Sequence, residues 1–173
     1  MENQASSKNI MLNYGVYLGI LSILVNVVLY ATDSLIENSW IGGVVSFIAM
    51  IVILVLGIKK FKFDNNNILS FGQAVKVGVG IAIVSAVIGI VYNLIFLNFI
   101  EPDFQNQMLE VQKQAWADAN MTSEQIESAA EMTKRFSNPA ITSAISIVAA
   151  AFFGFIISAI AGAIMKRTEE DGY

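Results

Sequence analysis

An all-α integral membrane protein with four transmembrane helices is the fold this sequence predicts, and three observations predict it. Four stretches contain no charged residue: 10–31, 40–58, 77–100 and 141–165, of 22, 19, 24 and 25 residues. A helix needs about 20 apolar residues to cross a hydrocarbon core of about 30 Å. The chain is 55% hydrophobic and only 14% charged, against about 25% charged in an average soluble domain. The stretches also lack the period-two alternation of barrel strands. Lipid offers no hydrogen-bond partner to the backbone, so each stretch must be a helix.

A soluble bundle fails on the same residues. Its helices need a polar stripe, because only one face is buried. Residues 41–58 read IGGVVSFIAMIVILVLGI and offer none; residues 146–164 are no better. The length fits one domain. There is no Cys and no His, which excludes disulfides, thiolate or imidazole metal sites and a Ser-His-Asp triad. A net charge of −4 argues against a nucleic-acid partner, which needs a basic footprint.

Span one, 10–31, is longer than the 7–15 apolar residues of a signal peptide, and Leu29-Tyr30-Ala31 is a poor cleavage site. It is expected to be retained. The loop 32–39 is short, so spans one and two should be antiparallel, with Tyr30 and Trp40 at the interface. Span two, 40–58, leads into Lys59-Lys60-Phe61-Lys62-Phe63. The lysines suit anionic headgroups, at about 1 kcal/mol each, and the two phenylalanines suit the interface. Asp64-Asn65-Asn66-Asn67 is turn chemistry. Ser70-Phe71-Gly72-Gln73 has the spacing of a capping box, so span three starts near Phe71, ahead of the 74–100 run that should cross.

Pro102 should end span three. Two amphipathic segments follow in the insertion 101–139. The first repeats Phe104, Met108, Val111 and Ala115; the second repeats Ile126, Ala129, Ala130, Thr133 and Phe136. Asn120 marks the break, and Thr122-Ser123-Glu124-Gln125 reads as a second capping box. Glu131 is spaced to pair with Lys134 and Arg135. The expectation is an extracytoplasmic amphipathic helical hairpin between helices three and four. Asn138-Pro139 closes it and admits span four, 141–165.

Lysine and arginine set orientation. Lys8, Lys59, Lys60, Lys62, Lys76, Lys166 and Arg167 fall on one side; only Lys113, Lys134 and Arg135 fall on the other. The second side carries nine acids, Glu37 among them, for a net of −6. The first, with Glu2, Asp64, Glu169, Glu170 and Asp171, carries a net of +2. Both termini are therefore expected in the cytoplasm.

Small residues recur every fourth position in span four: Thr142, Ser146, Ala150, Gly154, Ser158 and Gly162. Gly15 and Gly19 do so in span one, and Gly78, Ala82 and Ala86 in span three. Such stripes let helix backbones approach closely. With four helices to pack, packing inside one bundle is the expected use, and homodimerisation through span four is the alternative. Asn26 and Asn93 lie deepest among the intramembrane amides and are expected to tie helices together. No Asp or Glu lies within the spans, which counts against a carboxylate relay. Lys59, Lys60, Lys62 and Lys76 are expected to snorkel as cytoplasmic anchors. The Walker loop, Gly-x-Ser-x-Gly, zincin and dinucleotide fingerprints are absent. No catalytic, cofactor-binding or metal residue is expected.

The motif order resembles a known family. Tyr14-Gly15 follows a short Lys-bearing start. Ser70-Phe71-Gly72-Gln73-Ala74 and Lys76-Val77-Gly78 open the third span, which ends in Ile100-Glu101-Pro102-Asp103-Phe104. Met121-Thr122-Ser123-Glu124-Gln125-Ile126-Glu127 and Phe136-Ser137-Asn138-Pro139 follow. Together these resemble the bacterial membrane family known as domain of unknown function 4199, over nearly the whole chain. The resemblance implies a four-helix protein of a Gram-negative inner membrane and carries no activity with it. The expected function is a non-enzymatic accessory or scaffold subunit of a membrane complex. Its partners would be the lipid bilayer and a membrane protein or a further copy of the chain. The alternative is a small lipid- or solute-handling transporter acting as an oligomer, with Asn26 and Asn93 lining its cavity. An enzyme acting on a lipid-linked substrate through Lys76 ranks last.

Overall fold

The computed structural model describes residues 6–36 and 39–167. Glu2, Glu37, Glu169, Glu170 and Asp171, counted in the charge balance, lie outside the described residues. The elements are α1 (Ser7–Ala31), α2 (Ser39–Asp64), α3 (Phe71–Ile95) continued by a π-turn (Phe96–Ile100), α4 (Phe104–Asp118), α5 (Ser123–Phe136) and α6 (Pro139–Met165). Among the described residues there is no strand, only an isolated bridge between Leu69 and Arg167. Four helices are long and apolar enough to cross a membrane: α1, α2, α3 with its π-turn, and α6, of 25, 26, 30 and 27 residues.

The described chain forms two compact units, residues 6–89 with 147–167, and residues 90–146. In the first, close contacts at glycine give the helix directions. Gly42 meets Leu29 and Gly57 meets Tyr14, so α1 and α2 are antiparallel. Gly80 meets Met11, Gly15 meets Val84 and Gly19 meets Ile88, so α1 and α3 are parallel. Gly162 meets Ala74, Gly78 meets Ser158 and Gly154 meets Ala82, so α3 and α6 are antiparallel. Phe47 and Phe153 join α2 to α6 edge to face, 5.8 Å between ring centres. These directions bring Lys8, Lys59, Lys60, Lys62, Lys76, Lys166 and Arg167 to one end of the unit.

The core lies at that same end. Leu54, Ile58, Leu69, Val77, Ile81 and Ser158 are fully buried there, with Ile10, Phe61 and Ala161 around them. Toward the other end Leu24, Val28, Trp40, Val44 and Phe152 are exposed. Apolar side chains all round the outside of long helices are what a hydrocarbon solvent permits and water does not.

The turn between α2 and α3 departs from expectation. The helix does not stop with the apolar run at Ile58 but continues through Lys59–Phe63 to Asp64. Phe61 consequently enters the core, 4% exposed, instead of the lipid interface, while Phe63 stays out. Asn66 and Asn67 then take left-handed conformations, φ 54° and 61°, which asparagine tolerates better than most residues. Asn65 Nδ2 donates to Ile68 O at 2.9 Å. Ser70 and Gln73 form the reciprocal capping bonds, 2.8 and 3.2 Å, that start α3.

In the second unit the chain leaves α3 through the π-turn, closed by Glu101 N–H donating to Phe96 O at 2.9 Å. Phe96 is buried between Tyr92 and Phe104, 6.0 and 5.4 Å between centres. Helix α4 ends at a left-handed Asn120, φ 61°, with Met121 N–H reaching back to Trp116 O. That is the 6→1 bond of a Schellman cap. Thr122 and Gln125 make the capping box of α5. Asn138 Oδ1 accepts from Ala140 N–H at 2.9 Å, and Pro139 is the first residue of α6. Proline suits that position because its missing N–H has no intrahelical acceptor there.

Helices α4 and α5 touch each other, but not quite on the faces that periodicity suggests. Leu109 and Ala130 are buried, whereas Val111 and Phe136 are about half exposed, 50% and 55%. Lys113 pairs with Glu110 at 2.7 Å. Among the described residues Glu131 forms neither of the pairs its spacing allows.

Candidate functional site

The residues singled out from sequence fall into three places. The first is the seam between α3 and α6. A methyl group added at Gly154 would sit 2.7 Å from Ala82 Cβ, and one at Gly162 would sit 2.8 Å from Ala74 Cβ. One at Gly78 would overlap Ser158. Ser158 is fully buried, and its hydroxyl donates to Gly154 O at 2.5 Å on its own helix. This back-bonding leaves no unsatisfied polar group in the seam. A second seam holds α1 to α3, where Gly15 and Gly19 lie under Val84 and Ile88. Helix backbones approach this closely only where side chains are missing. The stripe continues through Ala150, Ser146 and Thr142, where α6 passes from the first unit to the second and loses most of its burial.

The second place is the basic end. Lys59 and Lys76 are exposed there. Lys60 pairs with Asp64 at 2.6 Å and stands over the Phe63 ring, 5.7 Å from its centre. Lys62 does something composition does not show: its ammonium donates to Met165 O at 2.8 Å, at the C-terminal end of α6. A cation suits the unsatisfied carbonyls of a helix end. Beside it Leu69 and Arg167 exchange both backbone bonds at 3.0 Å. Lys62 and this bridge together clasp the α2–α3 turn to the end of α6. No local motif signals the clasp, because its halves are 103 residues apart.

The third place is the pair α4 and α5. A cleft of about 310 Å³ opens between them and the first turn of α6, lined by Gln105, Leu109, Thr133, Lys134 and Asn138 among others. The intramembrane amides lie elsewhere. Asn26 is half-buried on α1 in the first unit, and Asn93 is exposed on α3 in the second. Among the described residues no group of three or more His, Cys, Asp or Glu is placed to hold a metal ion.

This architecture defines a polytopic all-helical protein of the membrane-spanning type, with a helix pair inserted between its third and fourth long helices. The chain belongs to the family described as protein of unknown function (DUF4199), which matches residues 13–167. No curated protein and no solved structure matches it.

Proposed function

We propose that the protein is a non-enzymatic accessory or scaffold subunit of a membrane complex in a bacterial inner membrane. Both termini would be cytoplasmic, and the pair α4 and α5 would project from the opposite face. The observation that carries this reading is the interlocked packing of the first unit. A methyl group added at Gly15, Gly19, Gly78, Gly154 or Gly162 would press on the base of a neighbouring side chain, so the seams form a closely fitted frame. Such packing gives little space for a solute path between α1, α3 and α6 and weighs against a small transporter. The exposed Val111, Met132 and Phe136 give α4 and α5 apolar surface for a partner.

Isolation from native membranes in mild detergent, with cross-linking beforehand, tests the proposal. A stoichiometric membrane-protein partner is expected, held through α4 and α5 and lost when Met132 and Phe136 are both changed to Ser. Repeated recovery as a lone monomer would defeat it.

A further inference from the structure

The cleft between α4, α5 and the start of α6 has a chemistry of its own. Its floor is Leu109, only 6% exposed. Its walls carry amide and hydroxyl side chains and one ammonium, that of Lys134. Three donors there are uncommitted among the described residues. Lys134 Nζ has no ion pair. The Asn138 carboxamide spends only its oxygen, on Ala140 N–H, leaving its NH₂ group. The Thr133 hydroxyl is likewise unused. A carboxylate adjoins the lining: Asn106, a further lining residue, donates to Asp103 Oδ1 at 2.7 Å.

Position narrows the ligand. The apolar run of α6 begins at Ile141, two residues beyond Pro139 at the cleft wall. The charge-free end of the third long helix, at Ile100, lies just before α4 in sequence. In a four-span protein the cleft would therefore sit where chain enters hydrocarbon, at the depth of phospholipid headgroups, which extend the bilayer from about 30 Å to about 40–45 Å. Its volume suits a headgroup with the glycerol on Leu109, at the small end of known ligand clefts. Charge narrows it again. Segment 101–139 carries seven acids against three bases, a field that repels a purely anionic lipid.

We propose that this cleft holds the phosphoethanolamine headgroup of a membrane phospholipid, its phosphate on Lys134 and Asn138 and its ammonium on Asp103. The site does not depend on the accessory role. A primary ammonium can donate to the carboxylate, which a quaternary one cannot.

Native mass spectrometry of the full chain in detergent tests this, with phosphatidylethanolamine, phosphatidylcholine and phosphatidylglycerol titrated separately. One phosphatidylethanolamine should be retained about tenfold more tightly than either other lipid, the scale of one charge-assisted hydrogen bond. Lys134→Ala should weaken it about tenfold, and Lys113→Ala should leave it unchanged. Asp103→Asn should erase the preference over phosphatidylcholine without weakening phosphatidylcholine itself. Lys134 is exposed, so its loss leaves the helices folded, which circular dichroism checks. Equal retention of the three lipids overturns the proposal, as does an unchanged Lys134→Ala variant. Displacement by an equal concentration of soluble O-phosphoethanolamine would overturn the lipid source in favour of a free phosphoester.

Discussion

At Gly78 the whole first unit is in play: Ser158 stands on one side, Ile58 reaches in, and both are fully buried. Gly78→Ala should destabilise the protein by about 1–3 kcal/mol, the usual range for overpacking. Gly43 has nothing within 4 Å of where a Cβ would lie, so Gly43→Ala should be neutral or stabilise by up to about 1 kcal/mol through helix propensity. Thermal unfolding in detergent separates the two: equal melting shifts would mean that the seam is not packed as described. Single residues were also the most legible scale. Ser70 with Gln73, Thr122 with Gln125, and Asn138 with Pro139 each announce a helix start through spacing alone, because a cap needs only residues three or four apart. Phe61 was not legible in this way. Its burial depends on α2 continuing past a run of lysines, and lysine at a helix end reads equally well as an anchor in lipid headgroups.

Helices, as elements, divide by what their sequence can encode. The four long ones announce themselves by length and absence of charge, yet an all-apolar helix has no polar face to say which side packs. The small residues supply that missing information in α3 and α6, where Gly78 and Ala82 meet Ser158 and Gly154. The π-turn at Phe96–Ile100 had no signal beyond Pro102, and its first residue, Phe96, meets Phe104 edge to face. The clasp at the basic end belongs to this scale as well. Lys62→Met keeps the apolar stem and removes the bond to Met165 O. It should cost about 1 kcal/mol and loosen the last turn of α6. Hydrogen exchange at residues 162–167 should rise in this variant and stay unchanged in Lys59→Met, whose ammonium is exposed; equal protection in both would refute the clasp.

For the molecule as a whole, the alternation of helix directions and the gathering of bases at one end fit a chain that crosses a bilayer four times. The absence of native cysteine makes the expected topology directly measurable. Single substitutions Asn66→Cys and Gln114→Cys should react with a membrane-impermeant maleimide from opposite faces of intact cells. Gln114→Cys should label from outside the cytoplasmic membrane, and Asn66→Cys only after permeabilisation. Labelling of both from one face would overturn the crossing pattern. Spans and the side bias were readable because bilayer thickness and charge asymmetry act on whole segments. The seams, the clasp and the cleft were not, because each depends on residues that meet only after several helices have packed.

The junction of Leu69 with Arg167 has a bearing on how the protein is made. Leu69 is sealed by backbone that leaves the ribosome long after the third long helix has been inserted. Until then its greasy side chain and the ammonium of Lys62 have nothing to hold. A nascent chain stalled before Met165 would thus carry an α2–α3 turn that nothing yet fastens.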